Sequence, residues 1–392
     1  MRVIRDNVYS VGALDFDRRI FDKLIPTPDG TTYNSYLIAG SEKTALLDTV
    51  DPTKSDTLFR NIAKTGVSKI DYIVCHHAEQ DHSGCINEAL LLFPDAKVVT
   101  NSKCKEILMQ HLETDDEQFI IVEDGQELSL GDKTLKFIYI PWSHWPETLA
   151  SYLPQEKMLF PCDLFGSHFA TSSLFADDYC TLYESAKRYY AEIMMPFHGQ
   201  IKKNIEKLSQ YEIKIIAPSH GPLYDKPEMI IDAYKDWVSD NVKNEVVIAY
   251  VSMHESTRIM VDYFVDALIE RGVNVWQFNL ADTDLGKLAM SLVDAATIVI
   301  GTGTVLTGPH PKAAYACILA NALRPKTRFA SIIGSYGWGG KMPEQIQQLL
   351  GNLKVEFIEP VISRGVPKEE EYKKLDALAE AILAKHRQIG II

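Results

Sequence analysis

The 392 residues contain no apolar run long enough to cross a membrane, no Cys-x-x-Cys pair, no Gly-x-Gly-x-x-Gly and a shortage of cations. The first absence removes a membrane-spanning helix. The six cysteines, Cys75, Cys85, Cys104, Cys162, Cys180 and Cys317, are too scattered for a tetrathiolate metal site or a disulfide framework, so a reduced, cytoplasmic compartment is expected. The missing glycine motif argues against tight binding of a dinucleotide. With 40 Lys and Arg against 53 Asp and Glu, the net charge of -13 opposes nucleic acid and anionic membranes, both of which recruit cations. The N-terminal "MRVIRDNVYSVGALDFD" lacks the apolar core of a signal peptide.

What is present divides into two grammars. Residues 1–242 read as short strands with hairpin signals, such as "TTYNSYLIAG" and "EKTALLDTV" across Gly40 and Ser41. Residues 243–392 alternate β-branched runs ("EVVIAYV", "VNVWQFNL", "ATIVIG", "RFASIIG", "KVEFIEPV") with helical patterns, the signature of a parallel sheet with crossover helices. Two domains are expected, since a chain of this length exceeds one compact core.

In the first half, four apolar runs each lead to a metal-capable residue. "KIDYIV" precedes "HHAEQDHSG", "TLKFIYIPWS" precedes His144, "MLFP" precedes Asp163 and "IKIIAPS" precedes His220. Loops at neighbouring strand ends converge readily on one point. His77, Glu79, Asp81 and His82 with His144, Asp163 and His220 make seven candidate ligands, too many for one tetrahedral zinc. Two metals sharing a carboxylate fit the number, and Asp163 has two oxygens to divide between them. Glu79, where another histidine would be usual, hardens the donor set toward iron or manganese.

His-x-Glu-x-Asp-His, then "WSHWPET", "PCDLFG" and "APSHGP", resembles the di-iron domain of the flavodiiron proteins, which is built on the metallo-β-lactamase fold. The resemblance implies an α/β chain: an N-terminal αββα metallo-β-lactamase-like domain followed by a flavodoxin-like doubly wound sheet. It also implies one iron held by His77, Glu79 and His144, a second by Asp81, His82 and His220, and Asp163 bridging; in some relatives the residue matching His82 turns away. In "KRYYAEIMMPF" a tyrosine of the family approaches the substrate pocket, and Tyr190 is chosen here ahead of Tyr189.

In the second half, "SMHESTR" follows the first strand and opens a helix. Its backbone N–H groups, with Ser252, Met253, His254, Ser256 and Thr257, form a candidate phosphate cradle, although such loops are more often plain caps. "GTGTVLTGPHP" contributes Thr302, Gly303 and Thr304. "GSYGWGG" contributes Ser335, Tyr336, Gly337, Trp338 and Gly339, with aromatic surface for an isoalloxazine ring. This half resembles flavodoxin, which implies FMN.

Most remaining histidines are read as ordinary: His76 as structural, His111, His198, His254, His310 and His386 as surface, loop or cap residues, and His168 as having no functional role. The expected activity is reduction of dioxygen to water or nitric oxide to nitrous oxide at two irons supplied through FMN. Two electrons on flavin and two on the metals make the four that dioxygen needs. The resemblance further implies a separate donor, a rubredoxin-like protein or reduced coenzyme F420, and a head-to-tail homodimer or dimer of dimers. Two rivals remain: a binuclear zinc hydrolase of thioesterase type with a flavodoxin module, and a non-enzymatic electron carrier.

Overall fold

The computed structural model describes residues 1–112 and 114–392. The chain forms two compact units: Met1–Tyr190 with Phe197–Val238, and Ser239–Ile392 with Ala191–Pro196.

The first unit holds two large sheets, besides two short two-stranded ones that pair Ala13–Asp15 with Thr31–Tyr33 and Ile20–Phe21 with Ile25–Pro26. One runs, in spatial order, Arg2–Arg5, Val8–Ser10, Tyr36–Ala39, Thr44–Leu47, Tyr72–Val74, Lys97–Thr100 and Phe119–Ile121, antiparallel at first and parallel from Thr44–Leu47 onward. The other runs Glu127–Ser129, Thr134–Tyr139, Leu149–Leu153, Met158–Phe160 and Ile215–Ile216. The period-two alternation of strand side chains sorts neighbours into separate cores. Leu37, Leu46, Ile73 and Val98 face the helices Ser55–Ala63, Ile86–Leu92 and Ser102–Leu112. Ile38, Leu47, Val74 and Val99 face Phe137, Leu149 and Phe160 of the second sheet. Strands buried on both faces read as continuous apolar runs, as "ALL" and "YIV" do. The helices Tyr179–Tyr189, His198–Leu208 and Pro227–Trp237 complete an αββα arrangement.

The second unit carries a sheet in the spatial order Asn274–Asn279, Lys243–Val251, Ala295–Val305, Phe329–Tyr336, the last flanked by Glu356–Phe357 and Val361–Arg364. All these pairings are parallel. This is the flavodoxin-like doubly wound order. Helices Ser256–Glu270 and Glu369–Gln388 pack on one face, and Leu285–Leu292, Pro311–Leu323 and Met342–Leu349 on the other. His386 departs from the expectation of an exposed residue. It is fully buried, with Nε2 on Thr297 Oγ1 and Nδ1 on Asn244 Oδ1, and burial pushes its pKa down to about 4. Among the described residues no helix is long and apolar enough to cross a membrane.

Candidate metal centre

All seven candidate ligands gather at the carboxyl ends of strands in the first unit. After Tyr72–Val74 the chain runs irregularly through residues 75–79 and then makes the short helix Gln80–Ser83. This places His77 and Glu79 before the turn and Asp81 and His82 on it. His144, Asp163 and His220 arrive on the loops that follow Thr134–Tyr139, Met158–Phe160 and Ile215–Ile216.

Behind His82 lies a further metal-capable set, Asp48, His82 and Cys162; the seven candidate ligands themselves fall into two groups, His77, Glu79, His144 and Asp163, and Asp81, His82 and His220. Asp163 lies between them. Its Oδ2 is 3.6 Å from Nε2 of both His77 and His144, while its Oδ1 is 3.2 Å from His82 Nε2 and 3.3 Å from His220 Nε2. Glu79 Oε2 is 2.9 Å from His77 Nε2 and 3.1 Å from His144 Nε2; Asp81 Oδ2 is 3.2 Å from His220 Nε2.

Metal chemistry fits this donor set. Both oxygens of Asp163, both of Asp81 and Nε2 of His82 are buried without a hydrogen-bond partner. Each such orphan costs about 1–3 kcal/mol if nothing satisfies it, and more for a charged group. Cations placed at the two groups would satisfy all five atoms. Burial opposes ionisation of Asp163, yet the facing histidines prevail and hold its carboxyl well below the usual range. Glu79 is depressed in the same way by His144 and His77. Burial lowers His77 and His220, but their carboxylate neighbours outweigh it and raise them to about 10 and about 9. Without metal the cluster therefore takes up protons where cations would sit.

The histidines are oriented from behind. His77 Nδ1 donates to Glu147 Oε1 at 2.7 Å, and the same oxygen accepts the Ala78 N–H at 3.1 Å. His220 Nδ1 donates to the Thr32 carbonyl at 2.6 Å. Trp145 sets its ring edge-on to His77, with centroids 4.9 Å apart. Trp142 is exposed instead and stacks on Phe197.

The structure places the two tyrosines differently. Tyr190 packs on Tyr234 and Trp237 and donates its hydroxyl to the Trp237 carbonyl at 3.1 Å. Tyr189 is the one that reaches the cluster, its ring 5.9 Å from that of His220. Burial and then Asp163 raise its pKa well above 10, so it stays protonated. His168, set aside from sequence, lies in the same layer: its ring is 5.3 Å from His220 and 4.9 Å from Tyr189, and its Nδ1 is 2.8 Å from Thr31 Oγ1. His76 is buried between Asp48 Oδ2 and Ser151 Oγ.

Sequence reasoning missed Glu147, Asp48, Thr32 and Asp22. Asp48 follows Thr44–Leu47 and so obeys the strand-end rule that found the ligands. Asp22 is pushed up to about 6 by burial and by neighbouring Glu79. It had no signal beyond its charge.

In the second unit, the loops after the first, third and fourth strands converge. Thr257 Oγ1 is 3.1 Å from Ser335 Oγ, and a Cβ built on Gly303 would come no closer than 3.6 Å to Met253. Nothing lies within 4 Å of a Cβ at Gly337 or Gly339. Glu255, at φ 66°, precedes helix Ser256–Glu270 without a side-chain cap, although Ser252 Oγ accepts the Arg258 N–H at 3.3 Å. Open glycines, clustered hydroxyls and exposed Trp338 suit a phosphate with a flat ring. Thr302 is buried, its hydroxyl bonded to the Gly303 carbonyl and the His310 N–H, and His310 caps helix Pro311–Leu323.

A family model described as ODP family beta lactamase matches residues 31–221. The chain is 36% identical over 392 residues to a nitric oxide reductase of Moorella thermoacetica, spanning 97% of this chain and 98% of that one. Its fold is similar to rubredoxin oxygen:oxidoreductase from Desulfovibrio gigas, with TM-score 0.95, 29% identity and 98% coverage of both chains. It is also similar to the flavodiiron protein of Giardia intestinalis, with TM-score 0.88, 27% identity and the same coverage.

Proposed function

The chain belongs to the flavodiiron protein family, and from that premise we propose that it reduces dioxygen to water, nitric oxide to nitrous oxide, or both. The reaction takes place at two irons in the first unit, supplied through FMN in the second. One iron is assigned to His77, Glu79 and His144, the other to Asp81, His82 and His220, with Asp163 shared. The observation that supports this most is the division of Asp163, whose two oxygens each face a different histidine pair.

When bound, the irons and the flavin would each supply two electrons and the irons Lewis acidity. The protein's own residues do the rest. Glu147 and Thr32 hold protons on the Nδ1 atoms of His77 and His220, leaving each Nε2 free to ligate. Glu79 and His144 keep 17% and 18% of their side-chain surface exposed, whereas the other ligands keep 5% or less. Gas therefore enters on the Glu79 and His144 side. Trp145 shields His77 from water, and the protonated Tyr189 hydroxyl remains available as a proton donor.

FMN is assigned to Ser252, Met253, His254, Ser256, Thr257, Gly303, Thr304, Ser335, Tyr336, Gly337, Trp338 and Gly339, with Thr302 buttressing its loop. Electrons come from a separate rubredoxin-like protein or reduced coenzyme F420. A head-to-tail dimer brings the flavin of one subunit to the irons of its partner. An equal mixture of an Asp163→Ala chain and a chain disabled in the Ser252–Thr257 loop tests this. Random exchange should restore about a quarter of native activity, and no recovery in demonstrated heterodimers would remove the cross-subunit route.

The activity itself is tested by loading the protein with iron and FMN, supplying electrons from reduced rubredoxin, and following oxygen uptake and nitrous oxide release. Loss of both on replacing Asp163 is expected. Zinc in both positions with ester hydrolysis and no gas reduction would replace this reading with a hydrolase.

A further inference from the structure

Three histidines of the cluster present Nδ1 to an identified neighbour, and the neighbours are unequal. His77 has a carboxylate oxygen at 2.7 Å and His220 a carbonyl at 2.6 Å. His82 has the sulfur of Cys162 at 3.8 Å. Asp48 Oδ2 is also 3.8 Å away, too far for an oxygen acceptor. That oxygen already takes the Nδ1–H of His76 at 2.8 Å, and Asp48 Oδ1 takes the His76 backbone N–H. The thiol is thus the one direct tether His82 has behind its ring among these groups.

The backbone keeps the tether in place. Cys162 has φ 56° and Asp48 φ 54°, left-handed conformations that non-glycine residues seldom adopt. The Cys162 carbonyl accepts the Ser219 N–H at 2.9 Å, tying it to the loop that bears His220. The His82 carbonyl accepts from both the backbone and the hydroxyl of Thr49, at 2.7 and 2.6 Å. With its backbone fixed, His82 has only its ring left to move. In the observed position Nε2 is buried, unpartnered and 3.2 Å from Asp163 Oδ1.

We propose that Cys162 is the positioning residue for His82: its sulfur accepts the Nδ1–H and keeps Nε2 turned toward Asp81 and Asp163. Because sulfur is the weakest of the three acceptors, the metal position shared by Asp81, His82 and His220 is the less tightly held of the two. The inference rests on the two-metal reading above and adds an order of release, and a residue that sets it, to that reading. Cys162 does not touch the metals; it acts through the ring of His82.

Cobalt(II) titration of the full-length, metal-stripped protein, followed by its visible absorption, tests this without turnover. The native chain should take two equivalents of unequal affinity. Cys162→Ala should weaken the weaker equivalent about tenfold, as loss of a ligand's hydrogen-bond partner does, and leave the tighter one unchanged. Cys162→Gly, which suits φ 56° without strain, should do the same with an unaltered circular dichroism spectrum. Cys162→Ser puts an oxygen where the sulfur stood, at a separation too long for an oxygen acceptor, and should weaken the same equivalent as alanine does. Equal affinities in all four proteins would overturn the proposal, as would equal weakening of both equivalents. A sulfur-to-cobalt charge-transfer band lost in Cys162→Ser would also overturn it, by making the thiol a ligand. Fewer than two equivalents on the native chain would instead overturn the two-metal reading.

Discussion

His77 donates through Nδ1 to Glu147 Oε1 at 2.7 Å, and that carboxylate is itself buried and anchored by the Ala78 N–H. A ligating histidine backed by a carboxylate gains basicity and a fixed tautomer. Glu147→Gln should therefore lower metal affinity at the His77, Glu79 and His144 position about 10–100-fold while the fold persists. Competition with a chromophoric chelator measures it. An unchanged affinity would mean that Glu147 serves packing alone.

Asp163 faces both groups, so its loss should not be local. Asp163→Ala is expected to remove both metals together, read by elemental analysis of protein grown in iron-replete medium. Retention of one fully occupied iron would show that Asp163 belongs to a single position.

Metal binding should strengthen with pH. In the metal-free protein His77 and His220 are raised to about 10 and about 9, because their carboxylate neighbours outweigh burial. Each cation must displace protons, so apparent affinity rises as pH approaches about 9 and proton release accompanies binding. Calorimetry in buffers of different ionisation enthalpy counts those protons. Linkage gives the matching sign for stability: raised histidines stabilise the metal-free fold fully below about pH 6.5, and that contribution is lost as pH rises through about 9 to 10. A pH-independent affinity would contradict the proposed ligand set.

How much of this was readable in the sequence depends on how local the signal was. The residues that gather at the centre each follow an apolar run, and a strand followed by a loop-borne ligand is a pattern within ten residues or so. The parallel sheet with crossover helices was readable for the same reason, from the alternation of strand and helix, while its flavodoxin-like order was implied by the resemblance. Tyr189 and Tyr190 were not separable, because neighbours on a helix point about 100° apart and composition carries no phase. His386 was misread because the partners that bury it, Asn244 and Thr297, lie far away along the chain. Glu147 and Cys162 sat unremarked beside His144 and Asp163. Such residues act on a histidine's second nitrogen, a relationship that only the fold creates.

Trp338 is 69% exposed, so its replacement should cost the apoprotein less than about 0.5 kcal/mol. Trp338→Ala should nevertheless weaken FMN binding or shift the flavin potential, by removing an aromatic wall. A fragment beginning near Asn244 should bind FMN as well. Fluorescence quenching on FMN addition measures both, and unchanged binding and potential in Trp338→Ala would place the ring elsewhere.

The central claim, that gas is reduced at two metals bridged by Asp163 with electrons drawn through the flavin, is tested most directly by one anaerobic experiment. The iron- and FMN-loaded protein is fully reduced, freed of excess reductant and mixed with a limiting amount of dioxygen, while flavin absorbance and hydrogen peroxide are followed together. One dioxygen per chain should reoxidise the whole four-electron store without peroxide, and Asp163→Asn should react slowly and release peroxide. Peroxide in proportion to flavin, at the same rate in both proteins, would contradict it.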